Sequence, residues 1–135
     1  MNGPTPDAAN EDDVRRIRIA AALILLHTVP MILLMPYIYV NAPELADMSP
    51  FRPLITGYFT VETMITFMRL AAAATIIGGA LGIVSAFLAI KRRRWKATVA
   101  LCLISAAAGI FSFAGLVMGL AAFWLLLKAK PAFAD

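Results

Sequence analysis

Three stretches of this chain carry no formal charge: residues 19–40, 71–90 and 97–127. Basic clusters punctuate them. Arg15, Arg16 and Arg18 precede the first, Lys91, Arg92, Arg93, Arg94 and Lys96 separate the second from the third, and Lys128 and Lys130 close the third. As helices rising ~1.5 Å per residue, the first two would be about 33 and 30 Å long, which matches a bilayer core of ~30 Å. Inside hydrocarbon the backbone must satisfy its own hydrogen bonds, and long uncharged runs without alternation do so as helices. The fold class expected is all-α, a polytopic membrane helical bundle.

Composition agrees. The 135 residues are 61% apolar and 15% charged, with a mean hydropathy of +0.83. A soluble domain sits near ~45–50% apolar and ~25% charged. The chain is too hydrophobic for disorder and too short for an additional soluble module. The single cysteine, Cys102, excludes an intrachain disulfide and a CxxC motif. The net charge of +4 flanks apolar runs, so it reads as a topogenic signal and no nucleic-acid partner is expected.

Residues 1–13 read as a disordered acidic tail, 14–130 as one membrane domain and 131–135 as a short tail. A cleaved leader has a shorter apolar stretch of ~7–15 residues, so the first run reads as a retained span. Residues 41–70 form an outer segment. Pro43, Pro50 and Pro53 mark a loop over 41–57, and Tyr58–Leu70 is amphipathic. Its outer polar stripe is Glu62, Thr66 and Arg69 at i, i+4 and i+7, which suits a helix at the interface or an outward extension of the next span. Residues 91–96 form a basic inner loop, with Lys91, Arg92, Arg93, Arg94 and Lys96 as inner-leaflet anchors.

The 31-residue run is too long for one comfortable crossing, at about 46 Å, and short for two. Gly109 and Gly115 bracket a turn that divides it. Four spans, at about 19–40, 71–90, 97–111 and 113–128, put ten basic residues on one side against Arg52 and Arg69 on the other. Three spans, with one long final helix, give eight against four. Basic residues gather on the cytoplasmic side. Four spans are therefore expected, in the plasma membrane, with both termini cytoplasmic. Tyr37, Tyr39, Tyr58, Trp95 and Trp124 fall at the expected interfaces.

Ala74, Gly78, Gly82 and Ala86 recur every four residues and form the expected helix-packing seam. Packing within one chain is the first reading of it, and a homo-oligomer seam the second. Pro30 and Pro36 lie in the first span, where neighbouring helices tolerate them.

The three runs contain no Asp, Glu, Lys or Arg, which disfavours proton- or cation-coupled transport. No HExxH, GxSxG or P-loop pattern occurs. Neither catalysis nor a cofactor is expected. His27, Met31 and Met35, at i, i+4 and i+8, are candidate metal ligands, since imidazole and thioether suit Cu(I). The expected role is a non-enzymatic structural or accessory membrane component, with the bilayer and a larger complex or a second copy as partners. The alternative is a small-solute or Cu(I) permease.

The second half runs Ile-Ile-Gly-Gly-Ala-Leu-Gly-Ile-Val-Ser-Ala-Phe-Leu-Ala-Ile-Lys-Arg-Arg-Arg, then an apolar stretch broken by Gly, then Leu-Leu-Leu-Lys-Ala-Lys. This texture resembles small prokaryotic four-span membrane proteins of the domain of unknown function 4064 type, over about 55 residues from Ile76 to Lys130. The resemblance implies four spans and no activity.

Overall fold

A computed structural model describes residues 10–48 and 59–133. Residues 1–9 of the expected tail, Arg52 with the rest of 49–58, and 134–135 lie outside it. The described residues are predominantly helical and contain no strand: α1 Glu11–Val40, α2 Ala42–Met48, α3 Val61–Ile90, α4 Trp95–Ala108 and α5 Phe113–Lys128. Two 3-10 turns, Gly109–Phe111 and Lys130–Ala132, complete the set. Helices α1 and α3, 30 residues each, are long and apolar enough to cross a membrane. Helices α4 and α5 are apolar but shorter, with 14 and 16 residues.

Three boundaries differ from the sequence expectation. The acidic stretch is already helical at Glu11. The Asn10 side chain accepts from the Asp12 backbone N–H at 3.5 Å, and Glu11, Asp12 and Asp13 meet the positive end of the helix dipole. The outer segment is not simply a loop, because Ala42–Met48 forms α2, whose Ala42 and Ala46 are buried. The amphipathic stretch is the N-terminal third of α3. Thr60 caps it at the Thr63 N–H, 3.2 Å away, and no proline interrupts 61–90. The second expected span, 71–90, is thus the C-terminal two-thirds of a 30-residue helix.

The 31-residue run is broken, as Gly109 and Gly115 suggested. Gly109 opens a 3-10 turn, and the Ser112 hydroxyl accepts from the Gly115 N–H at 3.3 Å to start α5. Gly109 and Gly115 face each other at the turn: a Cβ on Gly109 would sit 3.2 Å from the Gly115 carbonyl carbon. Helix α1 stays helical through Pro30 and Pro36.

The four longer helices form a ring. Helix α1 packs most extensively on α3, α3 on α4, α4 on α5, and α5 closes against α1. The N-terminus of α1, the α3–α4 turn and the C-terminus of α5 share one end. The buried positions advance by alternating steps of four and three. They run Asp13, Ile17, Ala20, Ile24, His27 on α1; Ala72, Thr75, Gly79, Gly82, Ala86, Ala89 on α3; Thr98, Cys102, Ser105 and on to Gly109 from α4; and Gly115, Gly119, Ala122, Leu126, Ala129 from α5. That is a seven-residue repeat, the period that keeps one face turned to its neighbours along a bundle.

Most side chains on that face are small, with Ile17, Ile24, His27 and Leu126 as the exceptions. Gly78 receives Ala108, Gly82 receives Ser105 and Thr28, and a Cβ on Gly119 would meet Ala106 Cα at 2.9 Å. Large apolar side chains point outward instead: Leu33 is 74% exposed, Ile77 63% and Phe113 82%. The core combines Ala, Gly, Ser, Thr and Cys with a few large side chains, chiefly Ile17, Ile24 and Leu126, while most Leu, Ile, Val and Phe side chains are exposed or half-buried.

The expected seam therefore needs one correction. Gly78, Gly82 and Ala86 are buried, but Ala74 is exposed. Steps of four drift by about 40° each on a 3.6-residue helix, so a strict four-residue series leaves the face within three steps. A valine at Gly78 or Gly119 should destabilise the fold by about 1–3 kcal/mol through overpacking. Valine at Ala74 should stay within ~0.5 kcal/mol of the parent. Denaturant titration of helicity in detergent measures both.

Candidate functional site

Midway along the bundle the small-residue face becomes polar. Thr28 of α1, Thr75 of α3 and Ser105 of α4 are buried together, and His27 beside them is 7% exposed. With Met31, Gly79, Ala108 and Gly109 they line a cavity of about 10 Å³. A neighbouring cavity of about 40 Å³ shares Met31, Thr75, Ala108 and Gly109 and adds Met35 and Ser112. Glycine creates this room. A Cβ on Gly79 would crowd Ile32, with the nearest atom at 2.8 Å, and one on Gly82 would collide with Ser105 and Thr28.

The threonines use their hydroxyls on their own helices. Thr28 donates to the Ile24 carbonyl at 2.7 Å and Thr75 to the Ala71 carbonyl at 2.8 Å, which is how a hydroxyl survives in a helix interior. His27 differs. Its Nδ1 lies 3.0 Å from the Leu23 carbonyl, which can only accept. Nδ1 therefore carries a proton, and in the neutral tautomer this leaves the lone pair on Nε2. Nε2 is buried without a partner, and so is the Ser105 hydroxyl on the same cavity. Each such group costs ~1–3 kcal/mol while unsatisfied. A volume near 10 Å³ admits about one water, and a lone pair and a hydroxyl are two of the partners a water needs.

The candidate ligands of α1 thus face inward. His27 and Met31 line the smaller cavity, and Met31 and Met35 the larger. Among the described residues no three His, Cys, Asp or Glu side chains converge as a metal cluster. Cys102 stands apart, buried, with its Sγ 3.8 Å from the Gly119 carbonyl.

The outer stripe is exposed at Glu62, Thr66 and Arg69. Arg69 turns to α1, donating to the Tyr39 carbonyl at 3.4 Å with its guanidinium 5.8 Å from the Tyr39 ring centre. It links the C-terminal end of α1 to the N-terminal part of α3. Nearby, Phe59, Thr63, Met64 and Phe67 line an apolar recess of about 340 Å³.

The basic end is more structured than a loop of charges. Lys91 stacks on Phe87 at 4.4 Å, Lys128 on Trp124 at 3.9 Å and Lys130 on Trp95 at 5.0 Å. Trp95 Nε1 donates to the Leu126 carbonyl at 3.0 Å, tying α4 to the end of α5. Ser85 donates to the Thr98 carbonyl at 2.8 Å, tying α3 to α4. The turn itself is conformationally costly. Arg92 and Arg94 adopt φ of 51° and 52°, the left-handed region that favours glycine. Each costs ~1–2 kcal/mol, so charge occupies positions where backbone preference alone would select glycine. Lys91, Arg92, Arg93, Arg94 and Lys96 are all exposed.

Sequence reasoning missed the buried hydroxyls Thr75, Ser85 and Thr98. Their signal was present, since on α3 Thr75 and Ser85 lie among the buried glycines and alanines. Glycine at position 94 should raise stability in a neutral detergent by about 1 kcal/mol, by relieving the left-handed arginine. Chemical denaturation of Arg94→Gly against the parent checks this. Comparison with protein-family models, curated proteins and solved structures finds no match for this chain.

Proposed function

We propose that the protein is a small multi-pass component of the plasma membrane, crossing four times, with a structural or accessory role exercised through helix packing and not through catalysis. The observation that carries this reading is the inverted polarity of the bundle. Large apolar side chains cover the outside, and apart from Ile17, Ile24 and Leu126 the inside is filled mainly by Ala, Gly, Ser and Thr. In water that arrangement forfeits the hydrophobic driving force. In lipid it is favourable, because helices there associate by close contact and interhelical hydrogen bonds.

The charge map supports the orientation. Arg15, Arg16, Arg18, the basic residues of 91–96, Lys128 and Lys130 gather at one end of the bundle, and among the described residues Arg69 is the basic one at the other. The basic end is the cytoplasmic end. Helices α4 and α5 span only about 21 and 24 Å, so they cross with the help of their turn and of local thinning. The two cavities at the polar centre measure about 10 and 40 Å³, far below the ~300–1,000 Å³ of a small-molecule site, and the 340 Å³ recess at Phe59, Thr63, Met64 and Phe67 is lined without a polar centre beside it. This favours packing over solute passage.

Reporter fusions test the arrangement. A fluorescent protein at the C-terminus should fluoresce, and a periplasmic-type phosphatase at that site should be inactive. The same phosphatase inserted after Glu44 should be active. An active C-terminal phosphatase overturns four spans. Recovery of the chain in the soluble fraction without detergent overturns the membrane reading itself. Purification in mild detergent should return a second membrane protein at fixed stoichiometry. A chain alone in every mild detergent removes the accessory role.

A further inference from the structure

The basic end of the bundle holds its cations in place without neutralising them. The α3–α4 turn is fixed by its own backbone, since the Arg92 and Arg93 N–H groups donate to the Ala89 and Leu88 carbonyls at 2.9 and 3.2 Å. The Thr98 hydroxyl lies 3.2 Å from both the Arg93 and the Arg94 carbonyl oxygens. From this fixed turn the five basic side chains of 91–96 are all exposed. The Trp95 indole brings a distant residue to them. Its Nε1 donates to the Leu126 carbonyl at 3.0 Å, and Lys130 stands 5.0 Å from its ring centre. Lys130 therefore joins Arg94 and Lys96, the sequence neighbours of that tryptophan. Arg16 pairs with Asp13 at 2.8 Å, but among the described residues no carboxylate pairs with the basic residues of 91–96, Lys128 or Lys130. Like charges so gathered repel, and an opposite charge from outside the chain relieves that repulsion.

We propose that this end is a binding surface for anionic phospholipid headgroups, whose phosphates neutralise the cations of the α3–α4 turn and of the end of α5. The inference rests on the membrane reading of the bundle and names the lipid class it selects. Cation and apolar surface are stacked here in the order a lipid requires, which favours a lipid over a soluble polyanion. Lys91 lies four residues beyond the exposed Phe87 and 4.4 Å from its ring centre. Lys128 stands in the same relation to the exposed Trp124, at 3.9 Å. Ile90 and Leu127 are exposed on the same helix ends. A ring at the acyl boundary with an ammonium at its outer edge is the interfacial arrangement of aromatic and basic side chains. Net charge then selects among lipids. A zwitterionic headgroup brings its own cation, which the cluster repels, whereas an anionic one brings phosphate without it. Arginine adds a fork of donors that fits phosphate bidentately. The left-handed conformation of Arg92 and Arg94 agrees with this. Glycine would relax both positions but carry no charge, so a phosphate partner offsets the conformational cost.

The test is thermal unfolding of the full chain in neutral detergent micelles doped with phosphatidylglycerol or, at the same mole fraction, phosphatidylcholine. Phosphatidylglycerol should raise the midpoint by about 4 °C or more over phosphatidylcholine. Native mass spectra should retain it on the protein. Arg92→Gly combined with Arg94→Gly should start more stable than wild type in undoped micelles, yet show about half the phosphatidylglycerol shift or less. A fold defect cannot produce that pair of results. Lys128→Gln combined with Lys130→Gln should also reduce the shift, while Arg69→Gln at the opposite end should leave it unchanged. Equal shifts with the two lipids overturn the proposal, and so does an undiminished shift in the arginine double variant. Inorganic phosphate at matched ionic strength should not reproduce the effect. If it does, the surface takes a free anion and the lipid assignment fails. A chain that needs detergent but ignores phosphatidylglycerol overturns this inference alone, whereas a chain soluble without detergent overturns the membrane reading with it.

Discussion

Close approach of helix backbones is the constraint on which the rest of this structure depends. Gly78 against Ala108, Gly82 against Ser105 and Thr28, and Gly119 against Ala106 leave no room for one further carbon. At that separation dispersion contacts are dense, and hydroxyls on one helix reach carbonyls on the next, as Ser85 reaches Thr98. The same closeness forces large side chains outward, so the inverted polarity follows from the packing. A single cause thus yields a small-residue core, interhelical hydrogen bonds and an apolar exterior.

The two ends of the bundle serve it differently. At the basic end, Trp95 and Trp124 each meet a lysine, and Trp95 also fastens α4 to α5 through the Leu126 carbonyl. The tight turn between α3 and α4 accepts left-handed arginines, a conformational cost set against the charge they carry. At the other end α1 and α3 outrun the short hairpin of α4 and α5, and Arg69 reaches Tyr39 to join them. The polar centre lies where this hairpin turns. The space near His27 and Met35 is therefore bounded by Gly109 and Ser112, and continuous helix does not fill it.

Legibility in the sequence followed the range of each interaction. The apolar runs, the helical class and the break near Gly109 could be read because they rest on local properties: hydropathy over some twenty residues and the turn capacity of glycine. The helical start at Glu11 was missed because charge was read as a sign of disorder, although three acids in a first turn stabilise a helix. The packing face was half right. A four-residue glycine repeat caught Gly78, Gly82 and Ala86 but carried Ala74 with it and passed over Thr75, Gly79 and Ser85.

By itself, the sequence determined that the described chain would be helical, that two helices would be long and apolar enough for a membrane, and where basic charge would collect. Those properties are set residue by residue. Only the tertiary structure decided which small residues would touch, that the buried face would follow a seven-residue repeat, and that His27 would meet Met31, Thr75 and Ser105 around one cavity. The reason is geometric. A side chain's partner across a bundle depends on the rotation and depth of two helices at once, and no single helix carries that information.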